Sequence, residues 1–455
     1  MATINRRNWV SGTLLAGFFG AVWPGSARSA SLPWRNWSGG VACDPAGRFA
    51  PSTEGELVDF LAATSGRLRP VGSGHSFTPL VPTDGYIVVI DRLAGLLDYS
   101  ETDLTATFGA GVRLGEMGPA LQPIGQAFFN LPDIDRQTLA GATATGTHGT
   151  GIQFPCLSGY VTGLRLVTPS AEVLDVDAAH NADLFHAARV SVGALGVITR
   201  MTMQNRAPYR LVQKTWMAKT EELLDQFDTL AAKHRHFELF PYVHSDYSSA
   251  LATDETDAPI DNPPVDPEGD AGFIQLIREL SQVPPRERVP FVNSVAEQTP
   301  ASERVDVAHR ILANVRTVRF NEMEYSVPID AGAACLREIL HTIIEREIDV
   351  VFPLEYRYVR RDNTWLGMSS GEEDHAAISI HRAAWEDYRP YFDVIEPIFC
   401  KYGGRPHWGK IHTLGAEQLT KLYPRFEEFR ALRAQLDPEG RMLNDHLRKL
   451  FGVSA

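Results

Sequence analysis

The sequence predicts an α+β fold of two domains. At 455 residues the chain is too long for one compact core, because single cores stop growing beyond about 250–300 residues. From Trp34 to about Arg200, short apolar runs alternate with turn residues and helical pattern is confined to short pieces. That arrangement is typical of an α+β domain rather than of a regular βαβ repeat. The second half mixes longer helical patterns with strand-like runs, which indicates helices covering one sheet.

Composition and charge exclude several classes of protein. Hydrophobic residues make up 44% of the chain and charged residues 22%, as in an ordinary folded soluble protein. The net charge of -13 argues against a nucleic-acid partner, since both would be polyanions. The four cysteines (Cys43, Cys156, Cys335 and Cys400) are scattered and form no CxxC pair. We expect four buried free thiols rather than a disulfide framework or a metal site, with a single disulfide bridge in an oxidising compartment as the alternative.

The N-terminus is typical of an export signal. Arg6-Arg7 precedes an apolar stretch from Trp9 to Trp23, followed by small residues through Ala30. The stretch is shorter than the roughly 20 residues of a spanning helix. Paired arginines favour the twin-arginine route, with an ordinary secretory signal as the alternative. We expect residues 1–30 to be this signal, and the mature protein to lack a membrane span and to be periplasmic or secreted.

The elements of the first half follow from short periodic runs. Strands are predicted at Tyr86–Asp91, Leu104–Phe108, Gly163–Thr168 and Gly196–Met203. Helices are predicted at Glu54–Thr64, Leu114–Gln122 and Ala182–Arg189.

The second half is predicted from longer patterns. Helical spacing covers Glu221–His234 and the region from Phe426 to Leu436, where Asp437-Pro438 ends the helix. Strands are predicted at Arg316–Val327, Val350–Val359 and Ala376–His381. Thr253–Asp270 is rich in acids and prolines and is predicted to be an exposed loop.

The segment Val71–Thr78 (VGSGHSFT) is the first candidate for a ligand site. Two glycines, Gly72 and Gly74, flank Ser73 and permit a tight turn whose amides point inward, a geometry that cradles phosphate. On these residues alone, a plain turn with a solvent-facing His75 is the more frequent outcome.

The segment Leu139–Gly151 (LAGATATGTHGTG) is the second candidate. Apart from Leu139 and His148 every residue is small, so the backbone itself can approach a ligand closely. Four glycines and several threonines suit a cofactor wall better than a core. By contrast, Gly109-Ala-Gly111 with Gly115 lacks the spacing and the βαβ unit of a dinucleotide fingerprint.

Candidate substrate residues lie in the second half. Glu355 and Arg357 alternate along a predicted strand and project to one face about 7 Å apart. Ser379 and His381 repeat that spacing, and Lys410 ends the run Arg405–Lys410. On these residues alone, a solvated cross-strand ion pair is the more frequent outcome for Glu355 and Arg357, and a surface lysine is the alternative for Lys410. His407 and His412 have no carboxylate or cysteine at ligand spacing, so no metal site is predicted.

Five motifs in order carry a family resemblance: GSGHSFTPL, NLPDIDRQTLAGATATGTHGTG, FPLEYRYV, RPHWGKIHTL and DPEGRMLN. The sequence resembles the sugar-lactone and alditol oxidases (gulonolactone, arabinonolactone and alditol oxidases) of the vanillyl-alcohol oxidase superfamily. The resemblance implies an FAD-binding α+β domain at 31–205 and a substrate domain at 206–425, with a large antiparallel sheet covered by helices. Residues 426–455 would return to the FAD domain.

The resemblance also implies where FAD is held. His75 would be bonded to the C8-methyl group of the flavin, and the two small-residue segments would wrap the pyrophosphate and the isoalloxazine edge. Ser191–Val197 resembles a further flavin-contacting turn. The implied cofactor-binding residues are Val71, Gly72, Ser73, Gly74, His75, Ser76, Pro132, Gly141, Thr145, Gly146, His148, Gly149, Gly151 and Val197.

The implied reaction is oxidation of a CH–OH group of a sugar-1,4-lactone or polyol. Hydride would pass to flavin N5, and molecular oxygen would be the acceptor and give hydrogen peroxide. Arg357 and Lys410 would stabilise the developing alkoxide, while Glu355 would hold Arg357 and bind a substrate hydroxyl. Ser379 and His381 match substrate-contacting positions of alditol oxidases.

Two neighbouring residues bear on the acceptor and the substrate. Pro132 lacks the bulk that would keep oxygen from the flavin, which favours an oxidase. Asp133, also a candidate substrate residue, stands where an alditol oxidase would have serine, and the RPHWGK segment is closer to the lactone oxidases. The alternatives are a dehydrogenase with a quinone or cytochrome acceptor, and a non-catalytic exported sugar-binding flavoprotein.

Overall fold

The computed structural model describes residues 32–262 and 269–454. The predicted export signal lies outside this part of the chain. The strands are β1 (Trp34–Arg35), β2 (Ala42–Cys43), β3 (Gly47–Phe49), β4 (Leu68–Val71), β5 (Tyr86–Val89), β6 (Leu96–Ser100), β7 (Thr105–Gly109), β8 (Val161–Val167), β9 (Val173–Asp177), β10 (Val197–Gln204), β11 (Arg210–Lys219), β12 (His236–Pro241), β13 (Tyr247–Thr256), β14 (Ser302–Val307), β15 (Phe320–Pro328), β16 (Glu355–Val359), β17 (His375–Ala383) and β18 (Arg405–Pro406).

The helices are α1 (Glu54–Ala63), α2 (Leu114–Leu121), α3 (Leu139–Ala144), α4 (Ala182–Ala188), α5 (Thr220–Asp225), α6 (Phe227–Lys233), α7 (Gly269–Leu280), α8 (Pro285–Gln298), α9 (Ala308–Leu312), α10 (Gly332–Glu345), α11 (Arg389–Lys401), α12 (Ala416–Leu422), α13 (Phe426–Leu436) and α14 (Asp445–Phe451). In the described ranges, none of these helices combines the length and the apolar character that crossing a bilayer requires.

Three sheets come from the first half and one large sheet from the second. Strands β1 and β2 form an antiparallel pair. Strands β3, β5 and β4 form a parallel sheet, and β6-β7-β10-β8-β9 form an antiparallel one. The large sheet has the order β14-β11-β13-β12-β16-β17-β15-β18, with antiparallel neighbours throughout. The predicted α+β class with a large antiparallel sheet is confirmed. The domain boundaries at 31–205, 206–425 and 426–455 stay a prediction.

Pairing in the large sheet decides which side chains share a face. Strand β17 lies between β15 and β16, so Ser379 is opposite both Glu324 and Glu355. His381 is likewise opposite Glu322. Directly opposed residues point to the same side of a sheet, so these polar groups gather on one face.

The other face of the same strands is apolar and covered by helices. Met323, Tyr356 and Ile378 are buried with Leu336 and Ile339 of α10 in one core. Helix α10 packs closely on β17, because a Cβ at Gly332 would lie 2.5 Å from the Cβ of Ala376. The helices thereby leave the polar face free to form a site.

Several predicted elements differ from the structure. The helix expected at Glu221–His234 is two helices, because Gln226 has a non-helical backbone (φ -104°, ψ 1°). Thr253–Thr256 is not loop but the end of β13, paired with β11. All four cysteines are free, but only Cys156 and Cys335 are buried.

The C-terminal segment packs against the loops of the first half. Asn444 caps α14 by accepting from the Leu447 amide, and its side-chain NH₂ group donates to the carbonyls of Pro79 and Pro82. Arg441 donates to the carbonyls of Thr64 and Pro169.

Arg69 joins this C-terminal segment to two other loops, and we call this set of contacts the Arg69 clamp. Arg69 is 1% exposed, and its guanidinium donates to the carbonyls of Leu80 (2.7 Å), Val192 (2.7 Å), Gly193 (2.9 Å) and Met442 (2.5 Å). Burial lowers the pKa of Arg69 to about 9, although Asp437 acts in the opposite direction. Three segments, at Leu80, at Val192 and Gly193, and at Met442, are thereby fixed around one side chain.

Candidate active site

A large cleft separates the loops of the first half from the polar face of the large sheet. The space free of protein atoms in it, including the part open to solvent, is about 1440 Å³. On the loop side it is lined by segments around 69–81, 132–148 and 191–198. On the sheet side it is lined by segments around 320–324, 355–357 and 407–410.

Most residues predicted from the sequence meet in this cleft. Those that line it are Val71, Gly72, Ser73, Gly74, His75, Ser76, Pro132, Asp133, Gly141, Thr145, His148, Val197, Glu355, Arg357, His381 and Lys410. Those that do not line it are Gly146, Gly149, Gly151 and Ser379.

The three glycines outside the lining serve close packing of the wall. A Cβ at Gly149 would lie 2.3 Å from the Leu131 carbonyl oxygen. Gly151 pairs with Val359 of β16, and Gly146 has φ +77° with Met368 close by. These positions were assigned to the cofactor, and the structure shows them holding the cofactor-side wall to its neighbours.

The two small-residue segments lock together along the loop side. A Cβ at Gly72 would lie 2.0 Å from Thr138 Oγ1 and one at Gly141 would lie 2.8 Å from the same atom. Thr138 caps α3 by accepting from the Gly141 amide. Ser73 accepts from Arg113 (2.8 Å) and donates to the carbonyl of Arg136. The result is a wall of backbone with cations nearby, which fits a pyrophosphate group.

His75 lines the cleft beside that wall. Its ring stacks on Trp37 with centroids 5.1 Å apart. Burial, Lys410, Arg113 and Arg136 together lower the pKa of His75 to about 4. The imidazole is therefore neutral at physiological pH and keeps the nitrogen lone pair that a bond to a flavin carbon would require.

Glu322 and Glu324 of β15, which were not singled out in the sequence, lie at the centre of the sheet side. Glu324 accepts from His148 (2.6 Å) and Ser379 (2.9 Å) and lies 3.4 Å from Arg357. Glu322 accepts from Lys410. The only sign of these two residues in the sequence is that acids alternate with the apolar residues Met323 and Tyr325. A strand with one solvent-exposed face gives the same pattern.

Arg357 is the cation around which the carboxylates gather. Its Nη1 lies 2.7 Å from Glu355 Oε1. Burial acts to lower the pKa of Arg357, but Glu355 and Glu324 outweigh it and the pKa is raised. Burial raises the pKa of Glu355 to about 8, with Arg357 opposing the shift. Arg357 therefore stays cationic, and Glu355 can carry a proton near neutral pH.

Glu324 behaves differently from Glu355. Burial alone would raise its pKa, but His148 outweighs that effect and the pKa lies well below its ordinary value.

Ser379 is 1% exposed and lies behind Glu324. The structure thus gives Ser379 a contact with a buried carboxylate rather than a place on the cleft surface.

Asp133 lines the cleft with its carboxylate already bound. Both oxygens accept from Arg316, at 2.9 and 3.2 Å, and Asn314 donates to Oδ1 at 2.6 Å. Burial alone would raise the pKa of Asp133, but Arg316 outweighs burial and the pKa is lowered. These bonds leave less of the carboxylate available to a substrate than the sequence suggested.

Glu322, Glu355 and His381 have ligand atoms within 4.8 Å of one another. Lys410 already contacts Glu322, and Arg357 already contacts Glu355. A divalent cation would have to displace both of these cations. We therefore assign the three residues to the substrate side of the cleft.

Comparison with known proteins places this cleft in a family. The model of D-arabinono-1,4-lactone oxidase matches residues 201–450, and that of an FAD binding domain matches 45–177. The chain is 34% identical to L-gulono-1,4-lactone dehydrogenase of Mycobacterium tuberculosis, over 92% of this chain and 99% of that one. It is 29% identical to L-gulonolactone oxidase of Bos taurus (92% and 98% covered) and 28% identical to alditol oxidase of a Streptomyces species (91% and 98% covered).

The fold has solved counterparts. Cholesterol oxidase from Brevibacterium sterolicum superposes with a TM-score of 0.74 at 16% identity, covering 92% of this chain and 96% of that one. At that identity the likeness concerns the fold alone. The matches to the two family models and to the lactone-oxidising relatives confirm the family that the five motifs indicated. The chain belongs to the D-arabinono-1,4-lactone oxidase family and carries an FAD-binding domain in its first half.

Proposed function

We propose that this protein oxidises a CH–OH group of a sugar-1,4-lactone or related polyol, with FAD bound covalently to His75 and molecular oxygen as the acceptor. The observation that carries the proposal is the pair of cations Arg357 and Lys410, which line the same cleft as His75. Bound FAD supplies the acceptor for the hydride that leaves the substrate carbon.

The chain's own residues stabilise charge on the substrate. When the C–H bond breaks, the hydroxyl oxygen becomes more negative as its proton leaves. Arg357 and Lys410 stabilise that charge, and the contacts with Glu355 and Glu322 hold them in place. Glu355, whose pKa burial raises to about 8, can donate a hydrogen bond to another oxygen of the substrate.

The charges in the cleft favour a neutral substrate. Arg357 and Lys410 each lie against a carboxylate, and burial lowers the pKa values of His381 and His407. An anion such as an open-chain aldonate would meet paired cations and several buried carboxylates. A closed lactone or a polyol avoids that repulsion.

A dehydrogenase is the second candidate for the acceptor. The relative that is 34% identical is named a dehydrogenase, whereas the named oxidases among the relatives described here are 28–29% identical. Pro132 lines the cleft, and its small side chain leaves room for oxygen to reach the flavin. This favours oxygen as the acceptor.

We expect L-gulono-1,4-lactone, D-arabinono-1,4-lactone or xylitol to bleach the flavin absorbance under anaerobic conditions, and air to restore it with release of hydrogen peroxide. Sodium gulonate, the anionic control, should bleach it far more slowly. Recovery only on addition of dichlorophenolindophenol, and not of air, would support the dehydrogenase. No bleaching by any neutral sugar or polyol would support the non-catalytic binding protein.

The proposed location outside the cytoplasm rests on Arg6-Arg7 and the apolar stretch after it. Replacing both arginines by lysine (Arg6→Lys, Arg7→Lys) is expected to leave the precursor in the cytoplasm, because the twin-arginine route requires the pair. Cell fractionation and immunoblotting measure this, with an exported protein of the ordinary secretory route as control. Unchanged export of the double variant would indicate an ordinary secretory signal.

A further inference from the structure

We infer that His381 is the catalytic base, taking the hydroxyl proton of the substrate at Nε2 as the C–H bond breaks. The inference deepens the proposed function and rests on it. Arg357 and Lys410 stabilise a negative oxygen but, as cations, cannot accept its proton. The reaction needs a group in the cleft with a free lone pair, and the hydrogen bonds of the imidazole rings identify one.

The tautomer of His381 follows from its contact with the backbone. Nδ1 lies 3.1 Å from the carbonyl oxygen of Pro353, and a carbonyl can only accept, so Nδ1 carries the hydrogen. Burial lowers the pKa of His381, with Glu322 opposing the shift and Lys410 adding to it. The neutral ring therefore keeps its lone pair on Nε2.

Among the described residues, no group donates a hydrogen bond to Nε2 of His381. Glu322 Oε1, 3.7 Å away, is itself an acceptor and stands beyond hydrogen-bonding distance. A substrate hydroxyl in the cleft can donate to this nitrogen.

The other two histidines on this side of the cleft are held in forms that cannot act as the base. His407 Nδ1 accepts from the Gly409 amide at 3.0 Å, so its lone pair is already used. Both ring nitrogens of His148 already have partners, the Gly149 carbonyl at 2.9 Å and Glu324 at 2.6 Å, so neither is open to a substrate hydroxyl.

The carboxylates are also engaged. Each lies against a basic side chain: Glu322 against Lys410, Glu324 against His148 and Arg357, and Glu355 against Arg357. Among the imidazole rings of this group, His381 alone has a ring nitrogen whose lone pair is unused, within the part of the chain that the structure describes.

The surroundings of His381 suit a ring that gains a proton. Phe320 meets it edge-on at 5.3 Å, and Phe352 lies 6.2 Å away, both measured between ring centroids. These rings limit its rotation, and Glu322 on the opposed strand stabilises the imidazolium. The other charged groups that face it are Glu324, Glu355 and Lys410.

The proposed step balances. The C–H bond breaks and its electron pair leaves with the hydrogen as hydride to the flavin, the oxidant of the proposed function. The O–H bond breaks and its proton forms an N–H bond at Nε2. The carbon–oxygen bond becomes double, so the substrate loses two electrons and two hydrogens.

The test is the variant His381→Gln. A glutamine amide can donate to the Pro353 carbonyl and offer an oxygen acceptor to the substrate, but it is not basic. Rapid-mixing anaerobic kinetics with L-gulono-1,4-lactone separate the dissociation constant of the substrate from the limiting rate constant of flavin reduction. We expect that rate constant to fall about 10²-fold or more, with a dissociation constant within a few-fold of the original.

His375→Gln is the matched control. His375 lies on the same strand, is buried, and its Nδ1 also contacts a carbonyl, that of Glu373 at 3.0 Å, but it does not line the cleft. This variant should reduce its flavin at the original rate.

Nuclear magnetic resonance of ring-labelled ¹⁵N-histidine, assigned by loss of the His381 signal in His381→Gln, gives a readout without turnover. It should show a protonated Nδ1 and an unprotonated Nε2. The reverse tautomer, an unchanged rate constant in His381→Gln, or a loss confined to the dissociation constant would each overturn the inference. A wild-type flavin that no lactone or polyol reduces would instead overturn the proposed function.

Discussion

Arg357→Met is expected to slow the reduction of the flavin by substrate by about 10³-fold. The side chain lies 2.7 Å from Glu355 and 3.4 Å from Glu324. Methionine removes the positive charge, so these two buried side chains lose the cation that they share. Both changes disfavour negative charge on the substrate oxygen. Anaerobic rapid mixing at saturating lactone measures the effect.

Two further variants separate charge from geometry and from general damage. Arg357→Lys keeps the charge but not the planar fork, so its rate should recover only in part. Arg360→Met, at an exposed position just past the end of the same strand, should leave the rate unchanged. Equal rates for Arg357→Met and the original protein would remove Arg357 from the chemistry.

His75→Ala is expected to abolish covalent flavin. The original protein, denatured and run on a gel in acid, should give a band that fluoresces under ultraviolet light, and the variant should give none. The reason is that the neutral ring of His75 supplies the nitrogen of the proposed bond. The walls of the cleft remain in the variant, so FAD can still bind without the bond and be released on denaturation.

His180→Ala is the control for this experiment, because the side chain of His180 is 77% exposed and the residue does not line the cleft. Fluorescence that persists in His75→Ala would place the attachment on another residue. A wild-type band without fluorescence, with flavin released free, would keep the FAD site and refute the bond.

The fold was predictable because its signals are local. The strand Tyr86–Asp91 was expected from a short apolar run bounded by turn residues, and β5 covers Tyr86–Val89. The helix Glu54–Thr64 was expected from its spacing, and α1 ends one residue earlier. The break at Gln226 could not be foreseen, because the apolar periodicity continues through it.

The site was predictable only where one segment carries the pattern. Glu355 and Arg357 share a strand, so their spacing placed both on one face. Glu324 meets His148 from a segment 176 residues away, and no local pattern encodes that distance. The register of β15 against β17 brings Glu322 to His381, and register depends on the whole sheet.

The Arg69 clamp has a consequence for the order of assembly during protein synthesis. Val192 and Gly193 line the cleft, and the guanidinium that binds their carbonyls also binds Met442, which follows every cleft-lining residue along the chain. A nascent chain that has reached only Lys410 has every lining residue but not the anchor of that turn. The turn at Val192 and Gly193 can therefore receive this anchor only after residue 442 has been synthesised, so we expect stable cofactor loading to come late, after most of the chain has been made.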